Sequence, residues 1–217
     1  FKEKGFLPEA FINLLALLGW NDGTEKEIFS KEELIEKFSM DRVHSAGAKF
    51  DYEKARWFNH EWLKKTGAGS LEPGVRTLLE ANGLNNIDRA KLQQAITLVK
   101  DRCTLIPDFV QQLSFLFAAP AQWDIDAVKP KWNEAKKLFF AELIRNYELA
   151  ATWDAVTLEN NFKEIAAAND LKPGELMLPF RIMLVGGKFG PGVFDIANLI
   201  GKQETLERIE KALIAFA

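Results

Sequence analysis

Three observations predict an all-α fold for this chain. Apolar residues recur at helical spacing along almost its whole length. Proline and glycine punctuate those runs where helices start and stop. No run of roughly four to eight residues alternates as a half-buried strand would. The pattern divides into about ten helices, with no fixed-period repeat.

The elements follow in order. Near the amino end, GFLPEAFINLLALLGW places Pro8 at a first helical position and Gly19 just past the last. Phe11, Leu14, Leu15 and Leu18 form one stripe, which Ile12 and Leu17 widen. Asn21 to Thr24 is a polar turn. Ser30 and Glu33 have the spacing of a capping box, with Leu34, Ile35 and Phe38 on the apolar face behind it. A further helix is expected from Asp51, with Trp57, Phe58 and Trp62 as core residues. Thr66-Gly67-Ala68-Gly69-Ser70 is small and flexible and predicts a boundary. Leu71 to Asn82 is expected to be helical, ended by Gly83. Asp88 caps the next helix, which carries Leu92, Ala95, Ile96 and Val99; Pro107 opens another, with Phe109, Leu113 and Phe117. Ala118 to Pro120 marks a second break. Lys129 to Tyr147 is expected as one long helix, with Trp132, Ala135, Leu138, Phe139 and Leu143 inside. Leu158 to Ala168 follows, then a Gly- and Pro-dense stretch from Lys172 to Gly201. A last helix carries Leu206, Ile209, Leu213 and Phe216 on one face.

Of the 217 residues 47 % are hydrophobic, enough for a substantial core in two or more units. A net charge of −3 means that any nucleic-acid contact must come from a local patch. A single cysteine, Cys103, excludes an internal disulfide and fits a reducing cytosol. The start of the chain has no secretory pattern, and its apolar run is too short to span a bilayer.

Reaction chemistry is missing from the sequence. There is no Walker-type phosphate loop, no dinucleotide fingerprint and no metal-ligand spacing of His or Cys. His44 and Ser45 lack an obvious carboxylate partner, and Glu32-Glu33 complements a helix start. Lys100 and Arg102 could lower the pKa of Cys103, but no histidine lies nearby in sequence. No catalytic residue and no metal ligand is assigned, and the motifs read as a helical binding module.

Three stretches resemble one family. The opening segment continues through Glu27-Ile28-Phe29-Ser30, Arg42-Val43, Phe50-Asp51 and Arg56-Trp57-Phe58-Asn59. The second stretch runs from Lys100-Asp101-Arg102 to Phe117. The third is Leu178-Pro179-Phe180-Arg181, then Gly186, then Gly190-Pro191-Gly192-Val193-Phe194, with Leu199-Ile200-Gly201-Lys202-Gln203-Glu204 behind it. In this order they are similar to the part of bacterial glutamyl-tRNA synthetases that follows the KMSKS-type loop, including the QPLR…TG…PGLFE signature. The HIGH-type and KMSKS-type signatures do not occur in the chain. The resemblance therefore implies a piece without the catalytic half and inactive alone, taken from a protein that joins glutamate to its tRNA with ATP and magnesium. It implies no cofactor in this piece, glutamate tRNA as partner, no membrane, a cytoplasmic monomer, and an all-helical anticodon-binding fold. It divides the chain into the end of a stem-contact region (1–66) and two anticodon-binding helical subdomains (67–120 and 121–217).

Unstacked anticodon bases are read by stacking and by hydrogen bonds to their edges, and arginine suits both. Arg102 falls where discriminating members of the family place an arginine against the third anticodon base. Arg181 matches the arginine of QPLR. The window from Leu176 to Phe194 has no acidic residue, so Arg181 and Lys188 set a local positive field. Gly190, Pro191 and Val193 complete the expected anticodon site, with glycine amides allowing close approach. Arg42, Lys49, Arg56 and Lys188 are expected phosphate contacts. Leu178 replaces the usual Gln, Gly190 the usual Ser or Thr, and Val185-Gly186 the TG pair, so contacts from those side chains are lost. Lys129, Lys131, Lys136 and Lys137 form a basic cluster that a solvated helix face explains more simply. The competing reading is a helical protein–protein scaffold without RNA binding, which the net acidity and many aromatics favour.

Overall fold

The computed structural model describes residues 1–43 and 49–216. His44 and Ser45 lie outside them. The described residues form twelve α-helices, several short 3₁₀ turns and one isolated bridge between Trp20 and Val43. The helices are α1 (Pro8–Leu17), α2 (Lys31–Lys37), α3 (Tyr52–Lys65), α4 (Ala68–Ala81), α5 (Arg89–Val99), α6 (Asp108–Phe117), α7 (Ile125–Val128), α8 (Glu134–Leu149), α9 (Ala155–Ala168), α10 (Pro173–Val185), α11 (Val193–Ile200) and α12 (Lys202–Ala215). The class is all-α, as the sequence predicts. Two compact units divide the chain: Phe1–Asn85 with Val99–Gln112, and Asn86–Leu98 with Leu113–Ala217.

In the first unit Pro8 opens α1 as expected, but the buried face differs from the predicted stripe. Ala10, Asn13 and Leu14 are buried, whereas Ile12 and Leu15 are exposed. Asn13 explains the shift. Its Oδ1 accepts from Phe29 N (3.0 Å) and Trp62 Nε1 (3.2 Å), and its Nδ2 donates to Glu27 O (2.9 Å). A buried amide with its bonds met is a stronger constraint than one more half-buried methyl group. The capping box is present: Ser30 accepts from Glu33 N, and Glu33 accepts from Ser30 N. Behind it Leu34 is buried, but Ile35 and Phe38 are exposed. Asp51 caps α3 by accepting from Glu53 N and Lys54 N. On that helix Phe58 is buried, but Trp57 is exposed and Trp62 half-buried. Phe6, Leu14, Ala55 and Phe58 make one core cluster, and Trp20, Phe29 and Leu34 another. The expected flexible boundary at Thr66–Ser70 is a tight corner, because α4 already starts at Ala68 with Gly67 as its cap.

In the second unit α8 packs on α9 and α12, and α10 packs on α11 and α12. The single helix expected over Lys129–Tyr147 is corrected. Pro130 sits in a 3₁₀ turn, Lys129–Lys131, and α8 starts only after Asn133, whose Oδ1 accepts from Lys136 N. A proline without an N–H and a good capping residue together force the restart. Trp132 therefore precedes the helix and stacks on Phe140, with centroids 6.0 Å apart. Ala135 and Leu138 are exposed. Lys136, expected on a solvated face, is buried, and its Nζ donates to Lys131 O at 2.7 Å. The Gly- and Pro-dense stretch from Lys172 to Gly201 is mostly helical, and residues 186–192 are the irregular segment between α10 and α11. Phe139, Phe140, Phe162, Phe180 and Phe194 form the aromatic core. Each such ring contributes about 2–3 kcal/mol by burial alone, so the core holds α10 and α11 firmly on either side of that short irregular segment.

Candidate nucleic-acid interface

The first candidate site is the turn after α5. Val99 ends the helix, and Lys100–Arg102 form one 3₁₀ turn that closes when Cys103 N donates to Lys100 O. The chain that follows Arg102 is tied down. Asn59 Nδ2 donates to Thr104 O (2.6 Å), and His60 Nδ1 lies 2.8 Å from Cys103 O, where only a donor fits. Asp108 accepts from Thr104 N and Leu105 N. Lys100 reaches back to cap α3, donating to Lys64 O (2.6 Å) and Thr66 O (3.2 Å). Arg102 itself is exposed and has no hydrogen bond or ion pair among the described residues. Cys103 is buried beneath it. Burial, and then the charge of Asp108, pushes its thiol up to about 12. The expectation that Lys100 and Arg102 lower this pKa is corrected: desolvation outweighs two cations that face away.

The second candidate site is the loop between α10 and α11. Gly186 ends α10 in the left-handed region at φ +82°, and its carbonyl accepts from Asp124 N at 2.8 Å. A Cβ there would fall 2.6 Å from Gln122 O, so glycine is required. Arg181, half-buried, turns inward. Its Nη1 donates to the carbonyls of Phe189 (3.0 Å), Gly190 (3.2 Å) and Pro191 (2.6 Å). Pro191 and Val193 are buried, while Phe189, Lys188 and Gly192 are exposed. The acid-free sequence window is bordered by acids in space. Lys188 Nζ is 3.8 Å from Asp124 Oδ2, and Asp195 folds back over Gly192. Both partners of the Lys188 pair are largely solvated, so that pair is weak.

Sequence reasoning missed Arg208. Its side chain is 1 % exposed, with Nη1 donating at 2.7 Å to both Phe115 O and Leu184 O and Nε donating to Glu204 at 2.6 Å. It therefore holds the end of α10, just before the loop, to the aromatic segment of α6. Its sequence signal is legible in hindsight. Thr205, Arg208, Ile209 and Ala212 are the buried positions of α12, at spacing i, i+3, i+4, i+7.

Arg42 is exposed, with Nη1 donating to Asp22 O; Lys49 is exposed and Arg56 half-buried. Among the described residues no group of three or more His, Cys, Asp or Glu side chains is placed to hold a metal ion, and no helix is long and apolar enough to cross a membrane.

Comparison with known proteins sets this geometry in a family. Residues 52–213 match the profile described as "Anticodon binding domain", and residues 1–57 match "tRNA synthetases class I (E and Q), catalytic domain". The chain is 43 % identical over 99 % of its length to a glutamate–tRNA ligase of Flavobacterium johnsoniae, and 38 % identical over 98 % to one of Porphyromonas gingivalis. It spans 42 % of the length of each of these relatives. A solved glutamate tRNA ligase from Elizabethkingia meningosepticum, in complex with its amino acid, superposes on all of the chain at a TM-score of 0.91 with 36 % identity; the match covers 43 % of that protein. A glutamate–tRNA synthetase from Elizabethkingia anophelis superposes at 0.86 with 36 % identity, over 98 % of this chain and 42 % of its own.

Proposed function

We propose, because the chain belongs to the anticodon binding domain family, that it grips the anticodon arm of glutamate tRNA. In the same reading, the whole protein joins glutamate to that tRNA in the cytoplasm, as a monomer, using ATP and magnesium. The observation that carries the proposal is Arg102: an exposed guanidinium, unpartnered among the described residues, on a turn whose following residues are pinned. A planar donor fork on a fixed backbone suits the edge of an unstacked base. Arg102 would read the third anticodon base. The loop carrying Gly190, Pro191 and Val193 would read the others through its backbone, with Arg181 supporting it or turning out to a base.

Residues 1–66 would contact the stem, and 67–120 and 121–217 the anticodon arm. Arg42, Lys49, Arg56 and Lys188 would lie against phosphates, which position RNA without specifying its sequence. The nucleotide-binding signatures of the family are not in this chain, so no step of the joining reaction is assigned to its residues.

The test is an anisotropy titration of the chain with glutamate tRNA. Binding that weakens steeply with salt is expected. Absence of binding at low salt would favour a protein–protein scaffold instead. Incubation with ATP, glutamate and tRNA is expected to give no charged tRNA.

A further inference from the structure

The loop between α10 and α11 is built around Phe189. Its ring is 44 % exposed. The exposed part is not held loosely. The ring packs against Phe115 in an edge-on arrangement, with centroids 5.5 Å apart and planes at 63°. It also lies over Gly187, where an added Cβ would sit 2.6 Å from Phe189 Cε1. The Phe189 carbonyl accepts from Arg181 Nη1 at 3.0 Å. The Phe115 carbonyl accepts from the buried Arg208 at 2.7 Å. Two arginines thus hold the backbone of both rings, and glycine leaves the space in which the outer ring lies.

Contact with water normally costs an exposed aromatic ring free energy and leaves it free to change rotamer. Here its freedom is removed before any ligand arrives, which is the arrangement that favours binding. Lys188, next in sequence and exposed, supplies a cation for a phosphate beside it. A flat apolar face with an adjacent cation matches an unpaired nucleotide, because every base offers a π-face and a phosphate.

We infer that Phe189 is a preorganised stacking platform for an unpaired base of the bound RNA, with Arg181 and Arg208 as the residues that position it. This rests on the proposed reading of the chain as an anticodon-arm binder, and the platform adds a contact made by stacking rather than by hydrogen bonds. It tolerates any base, so it contributes affinity and orientation more than sequence choice.

The experiment uses the chain and an anticodon stem-loop RNA of glutamate tRNA, carrying 2-aminopurine at each loop position in turn. Stacking quenches that fluorophore. One loop position is expected to be quenched on binding. Phe189→Leu, which keeps apolar bulk without a π-face, should abolish the quench and weaken binding about 10-fold. Phe189→Tyr should retain both. Gly187→Ala, which displaces the ring, should resemble Phe189→Leu. A Phe189→Leu protein that binds as tightly as the parent with an unchanged quench would overturn the platform and leave the RNA reading intact. A parent chain that does not bind the stem-loop at all would overturn the reading beneath it.

Discussion

The turn at Arg102 and the loop at residues 186–192 use arginine in opposite ways. At the turn the backbone is pinned by side chains of other types, Asn59, His60 and Asp108, and the guanidinium faces solvent. At the loop the guanidinium groups of Arg181 and Arg208 are spent largely on carbonyls, and what faces solvent is Lys188, the Phe189 ring and Gly192. A turn of ordinary residues can be held by local caps. A loop with glycines at positive φ has few side chains of its own, so donors must come from the helices beside it. The cost of burying a cation is met by carbonyls that would otherwise lack partners.

Replacing the two kinds of arginine should break that contrast most visibly. Arg208→Met leaves two buried carbonyls unpaired and should cost about 3–5 kcal/mol in urea unfolding; a loss below about 1 kcal/mol would mean that the loop is held by something else. Gly186→Ala comes next. A non-glycine residue in the left-handed region, with its Cβ against Gln122 O, should cost about 2 kcal/mol in the same measurement. Arg102→Gln should move stability least, within about 0.5 kcal/mol. In the whole protein, however, it should reduce the preference for glutamate over glutamine tRNA by about 1–3 kcal/mol, read as a ratio of charging efficiencies. If Arg102→Gln instead unfolds the protein, the distinction between an outward and an inward arginine fails.

The caps and stops of the helices were legible because they are local. Ser30 with Glu33, Asp51 before α3 and Asp88 before α5 act within a few residues of themselves. Faces were less legible. Ile35 and Leu138 lie outside where periodicity put them inside, because a neighbour's position, absent from the pattern, decides which side is covered. The family motif pointed to this loop, but it could not say that Arg181 turns inward. Nothing in the spacing singled out Phe189.

The amino-acid order by itself determined that this chain is helical, where most of its helices begin and end, and which stretches match an RNA-binding family. Those properties depend on hydrogen bonds and torsions a few residues long. Only the tertiary structure decided that Asn13, Lys136 and Arg208 are buried and that Arg102 is not. A polar group is stable inside only when its partners arrive there too, and Arg208 meets Phe115 across 93 residues of chain. Separations of that kind leave at most a helix's buried register in the local pattern, so packing settled which cations are buried in the fold and which stay exposed.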